Sequence, residues 1–187
     1  MPHLTSPLSS PVWLEQSDLL TSPDEQTLDW LFDQGSLTRR LTALSDGAFS
    51  VRPLFEGWQT LRADECVALD LPENSQGWVR EVHLLGHQQP WVFARSVAAK
   101  SALQEGGLNM DALGTRSLGE LLFCDDAFER GALQVCSYPR SGLPVVDQVD
   151  GLWARRSRFT RGPLSLLVAE VFLPNLWVAL STRSENT

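Results

Sequence analysis

Basic residues are in short supply: 15 lysines and arginines face 23 aspartates and glutamates, a net charge of -8 over 187 residues. Nucleic-acid binding needs a clustered basic footprint, so that class of partner is excluded, and any anionic ligand must be gripped by a local positive site. Cysteine is scarce as well. Cys66, Cys124 and Cys136 are odd in number and far apart, without a CxxC pair or a nearby histidine pair. This excludes a disulfide framework and a zinc site, and fits a reducing cytoplasm. No long hydrophobic run exists: the longest apolar tract, residues 164–180, is broken by Glu170, Pro174 and Asn175. It falls short of the roughly 20 apolar residues of a membrane span. The first residues carry no basic region ahead of an apolar core, so no signal peptide is expected. A GxSxG elbow, a P-loop, a GxGxxG turn and an HExxH pair are all missing. The three histidines fall in an arm (His3), on a strand (His83) and in a turn (His87), so no metal and no cofactor are expected.

What is present is a core-forming composition: 43% of residues are hydrophobic and seven are tryptophan, enough for one domain of 187 residues. Residues 1–12, rich in serine and proline, read as a flexible arm. Ser22-Pro23-Asp24-Glu25 reads as a helix start with Ser22 as cap, and Ser36 caps a second helix carrying Leu37, Leu41 and Leu44. The pair forms a helical hairpin over residues 22–45, either packed on the core or serving as a lid. From Ala48 the period shifts to two, with a bend expected at Gly57. The clearest hairpin runs from Trp78 to Ala98 through Gly86 to Pro90. Its first arm places Arg80 on a face with Trp78, Val82 and Leu84, and its second places Arg95 with Trp91, Phe93 and Val97. Residues 100–116 read as irregular. Ser117 to Glu120 opens another short helix, residues 132–138 form a strand, and residues 151–162 alternate so that Trp153, Arg155, Ser157 and Phe159 share a face. The end, residues 175–187, reads as a polar tail. Helices segregated from long antiparallel strands give an α+β class: one antiparallel sheet with helices on one side.

Within this pattern Glu170 stands out, because residues 164–173 are otherwise the most hydrophobic segment of the chain. A buried carboxylate costs several kcal/mol unless compensated. Two readings stand: a structural ion pair, or a site acid whose pKa is raised by desolvation. Buried-looking arginines, chiefly Arg80 and secondarily Arg95 and Arg155, are suited to a carboxylate by their planar fork. An Arg and a Glu in one closed apolar pocket can grip the anionic and hydroxyl ends of a small molecule.

The runs Leu28-Asp29-Trp30-Leu31, Ser36-Leu37-Thr38-Arg39-Arg40, Trp78-Val79-Arg80-Glu81-Val82, Leu118-Gly119, Gly151 to Arg158 and Glu170-Val171-Phe172-Leu173-Pro174 resemble the chorismate pyruvate-lyase family of ubiquinone biosynthesis. The resemblance implies conversion of chorismate to 4-hydroxybenzoate and pyruvate without a cofactor, on an antiparallel sheet whose internal ligand pocket is closed by two helical flaps. It also implies that Arg80 binds the ring carboxylate, that Glu170 sits at the hydroxyl end, and that Leu37 and Leu118 bind through their flap segments. The family often has Met where this chain has Leu37. On the chemistry of the parts, Arg155 is assigned to the enolpyruvyl carboxylate, and slow flap opening predicts product inhibition. A monomer is the default expectation. The alternatives are a non-catalytic sensor or carrier of aromatic acids on the same scaffold, and an interaction domain in which Arg80 and Glu170 pair with each other.

Overall fold

The structure, a computed structural model, describes residues 10–100, 102–103, 114–124 and 128–185. Most of the expected arm and most of the irregular stretch after residue 100 lie outside these residues, as does His3; residues 10–12 are irregular. Seven strands form one antiparallel sheet: β1 (Phe49–Thr60), β2 (Gln76–Gly86), β3 (Gln89–Ala99), β4 (Glu129–Arg130), β5 (Gln134–Tyr138), β6 (Leu152–Arg161) and β7 (Leu164–Phe172). Their spatial order is β1-β2-β3-β7-β6-β4, with β5 also paired to β6. Five α-helices accompany them among the described residues: α1 (Glu25–Leu31), α2 (Leu37–Leu44), α3 (Ala63–Ala68), α4 (Leu118–Cys124) and α5 (Pro174–Glu185).

The β2-β3 hairpin turns on His87 and Gln88, both at positive φ, as a two-residue turn of matching twist requires. Gly86 is fixed by packing, since a Cβ there would lie 2.2 Å from the Trp91 ring. The irregularity in β1 falls between Pro53 and Phe55 rather than at Gly57. Pro53 has no N–H to give a ladder, and on an edge strand a bulge accommodates it.

The α1 cap is Asp24, not Ser22: its carboxylate accepts from the Thr27 N–H at 2.9 Å and the Thr27 hydroxyl at 2.7 Å. The α2 cap is Ser36, as the spacing predicts. In place of a polar tail, residues 174–185 form helix α5. Pro174 suits its first position, and Leu176 is wholly buried against Trp91, Phe172 and the α1-α2 pair, a burial that contributes about 2 kcal/mol. Arg183 Nη1 donates to the carbonyls of Ala43 and Leu44, satisfying the end of α2. The sequence patterning hides this helix because polar residues crowd its second half.

The helices are divided between the faces. Helices α1, α2 and α5 share one apolar cluster with Val82, Val92, Ala94 and Phe172, and α4 joins a second with Ala98, Phe159, Leu166 and Val168. All of those strand residues lie on one face. The short α3 packs Cys66 on the opposite face, against Val79, Val97 and Leu167. Placing every helix on one side is therefore corrected, and the reason is that the sheet is apolar on both faces. Among the described residues no helix is long and apolar enough to cross a membrane.

Candidate active site

The helix-covered face carries two adjacent polar rungs, set by strand register. One runs Glu56, Arg80, Ser96, Val168, Ser157 across β1, β2, β3, β7 and β6. The next runs Val82, Ala94, Glu170, Arg155 across β2, β3, β7 and β6. Arg80 and Glu170 thus stand diagonally across β3, with Cα atoms on the order of 12 Å apart by sheet spacing. The residues between them, Ala94 and Ser96, are small. They form a low floor at the seam where the two apolar clusters meet.

Arg80 is 2% exposed. Its Nε donates to Glu56 Oε1 at 2.6 Å and its Nη2 to the carbonyls of Gly114 at 2.6 Å and Arg116 at 3.0 Å. Its Nη1 has no partner among the described residues, so the fork is held in plane with one donor to spare. Glu170 receives Arg155 Nε on Oε2 at 2.7 Å, while Arg155 Nη1 donates to the carbonyls of Trp30 and Asp33 at 3.0 and 2.9 Å. Glu170 is therefore ion-paired, and its partner is Arg155 rather than Arg80. Arg155 is itself 1% exposed, its Nε and Nη1 engaged by the strand acid and the end of α1. It orients Glu170 and leaves Oε1 without a protein donor among the described residues.

Leu37 and Leu118 are both 4% exposed and open their helices over this floor, one in each cluster. The two helix starts meet where the Thr38 and Ser117 hydroxyls share a hydrogen bond at 2.7 Å. Outside that seam a cleft of about 870 Å³ runs along Thr38, Thr42, Val51 and residues 115–117.

Arg95 lies on the other face. Register sets Arg80 opposite Ser96, so Arg95 pairs across to Glu81 at 2.8 Å and bidentately to Glu65 at 2.6 and 3.1 Å. His83 shares that face, hydrogen-bonded to Asp147 at 2.6 Å, so it reads as a packing residue. Among the described residues no cluster of His, Cys, Asp or Glu could hold a metal ion, and the free cysteines Cys66 and Cys136 are buried. Burial pushes the Cys136 thiol far above its ordinary pKa. Sequence reasoning missed Glu56, Ser96 and Ser157, whose relevance depends on cross-strand register. It also missed α3, a six-residue helix too short for its period to register.

The chorismate lyase family profile matches residues 8–181. The "Probable chorismate pyruvate-lyase 2" of Pseudomonas fluorescens strain Pf0-1 is 67% identical over 178 residues, covering 95% of this chain and 97% of that protein. The "Probable chorismate pyruvate-lyase" of Pseudomonas fluorescens strain Pf-5 is 65% identical over 185 residues, 99% of each chain. Among solved structures, the effector domain of PhnF from Mycobacterium smegmatis superposes with a TM-score of 0.49 at 10% identity, over 76% of this chain and 91% of that one, a likeness too weak to bear on function. With a family match over nearly its whole length and relatives at about two-thirds identity, the chain belongs to the chorismate lyase family.

Proposed function

We propose that the protein is a chorismate pyruvate-lyase that forms 4-hydroxybenzoate and pyruvate, the first committed step of ubiquinone biosynthesis, in the cytoplasm and as a monomer. Family membership supports the activity. The observation that supports the site is the diagonal of Arg80 and Glu170 over the Ala94-Ser96 floor, beneath Leu37 and Leu118. A six-membered ring with a carboxylate at one end and a hydroxyl at the other fits between two such side chains once both reach inward.

Arg80 takes the ring carboxylate through Nη1, and Glu170 accepts the ring hydroxyl through Oε1. The ring lies on the small floor with Leu37 and Leu118 over it. In the reacting geometry the hydrogen on the hydroxyl-bearing carbon transfers to the enolpyruvyl methylene through a six-membered array. The adjacent ring C–O bond breaks, its electron pair becomes the carbonyl of pyruvate, and a ring double bond forms that completes the aromatic product. Atoms and electrons balance with no external reagent, so the protein contributes orientation and charge stabilisation. All these groups come from one chain. Release requires parting the Thr38-Ser117 contact and the Arg80 bonds to residues 114 and 116, so product leaves slowly and inhibits turnover.

Glu170→Gln separates proton transfer from orientation. The amide keeps the acceptor oxygen but neither the charge nor the basicity. A single-turnover rate, measured with enzyme in excess so that release does not mask chemistry, is expected to fall by roughly 10²-fold if the carboxylate shares in moving the proton. An unchanged rate leaves Glu170 as an orienting residue only.

A further inference from the structure

Arg130 reaches the end of the polar rungs remote from Arg80. It leaves β4 opposite Phe159, donates Nε to Ser157 Oγ at 3.0 Å and Nη1 to the Gln34 carbonyl at 3.1 Å. Its guanidinium lies 5.5 Å from the ring centres of both Phe123 and Phe159. These contacts fix it over the same face as Glu170, between the two flaps. The largely buried Arg80, Arg95, Arg155 and Arg156 each hold a carboxylate. Arg130 pairs with none among the described residues. Burial pulls its pKa down, and the nearby Arg155 charge lowers it further, with Glu170 and Asp33 offsetting only part. A partly buried cation that no carboxylate pairs with directly is stabilised by an anion that enters beside it.

We propose that Arg130 binds the enolpyruvyl carboxylate of the substrate, the role that spacing alone assigned to Arg155. This rests on the reading of Arg80 and Glu170 given above. With the ring carboxylate at Arg80 and the hydroxyl at Glu170, the ether side chain leaves from the carbon next to the hydroxyl. It can then extend toward β6, where Ser157 and the Arg130 head lie. Arg155 is poorly placed for the role, since its charge is already paired with Glu170 at 2.7 Å, whereas Arg130 has only neutral acceptors among the described residues. The contact belongs to the dianionic substrate: when the C–O bond breaks, that carboxylate departs with pyruvate, and the aromatic product has no group for Arg130.

The test compares two ligands. Arg130→Gln is expected to lower kcat/KM for chorismate by about 10- to 100-fold, the worth of a charged hydrogen bond, while 4-hydroxybenzoate affinity stays within about 2-fold. Arg130→Lys is expected to fall between variant and wild type. Equal loss for both ligands overturns the proposal and makes Arg130 a brace for the α1-α2 linker through Gln34; an unchanged kcat/KM overturns it also. If circular dichroism shows Arg130→Gln unfolded, Ser157→Ala decides: a smaller drop in kcat/KM with unchanged product affinity supports the contact, and parallel changes or none refute it. Arg80→Ala, titrated alongside, keeps the two levels apart. Undiminished 4-hydroxybenzoate affinity there removes the site reading itself, whereas a loss there with no chorismate effect at Arg130 removes only this assignment.

Discussion

Arg80→Ala is expected to weaken 4-hydroxybenzoate binding by roughly 10²- to 10³-fold in a calorimetric titration, with kcat/KM for chorismate falling in step. Each charge-assisted hydrogen bond to the ring carboxylate contributes about 1.5–3 kcal/mol, and the truncation removes more than the contact. Glu56, whose carboxylate lies 2.6 Å from Arg80 Nε, would face the incoming anion without its cation. The carbonyls of Gly114 and Arg116 would lose the donor that holds the second flap. Arg80→Lys is not expected to restore binding, because one ammonium cannot hold Glu56, two carbonyls and a carboxylate in a single plane. A loss under about 3-fold would place the ring carboxylate elsewhere.

Arg95→Met is expected to destabilise the fold by about 3–5 kcal/mol, since it strands the buried Glu65 carboxylate, and to lower Tm by roughly 10 °C. Glu65 is 5% exposed. Burial alone pushes its carboxyl up, but the hydrogen bonds and charge of Arg95, with the Arg62 N–H, outweigh this and hold it below its ordinary range. A carboxyl whose pKa is lower folded than unfolded stabilises the protein above its unfolded pKa, and that share is lost as pH falls through the folded value. Wild type therefore loses this contribution below about pH 4. In the variant only the Arg62 N–H and charge still oppose burial, so the Glu65 pKa is expected to rise on folding and stability to increase on mild acidification. The gap between the two proteins is widest near neutrality and narrows toward about pH 4. A gap independent of pH would show that lost packing, not the stranded charge, is responsible.

Much of this architecture is legible in the chain because its strands alternate cleanly. The Trp78 to Ala98 hairpin, the Ser36 cap and the facing of Arg80, Arg155 and Glu170 follow from period and turn chemistry. The partner of Glu170 was within reach as well: Gly162, at positive φ, marks the turn between Arg161 and Leu164, and counting back along both strands sets Arg155 against Glu170. What does not follow from one strand is which face of its neighbour it shares. Arg80 and Arg95 look equivalent within their own arms, yet pairing places them on opposite faces, one on the face of the candidate site and one in the Glu65-Glu81 network. The tail that became α5 escaped because its stability comes from docking Leu176 and Trp177 onto the core, not from its own polar sequence. Arg130 escaped for a related reason: its strand is two residues long, and only the fold brings it to Ser157.

The activity is tested most directly by incubating the purified, chelator-treated protein with chorismate and following 4-hydroxybenzoate and pyruvate separately. Equal amounts of both, formed faster than without protein, are the predicted result. If neither forms while 4-hydroxybenzoate still binds, the protein is a holder of aromatic acids on a lyase scaffold, and the account given to Glu170 is wrong.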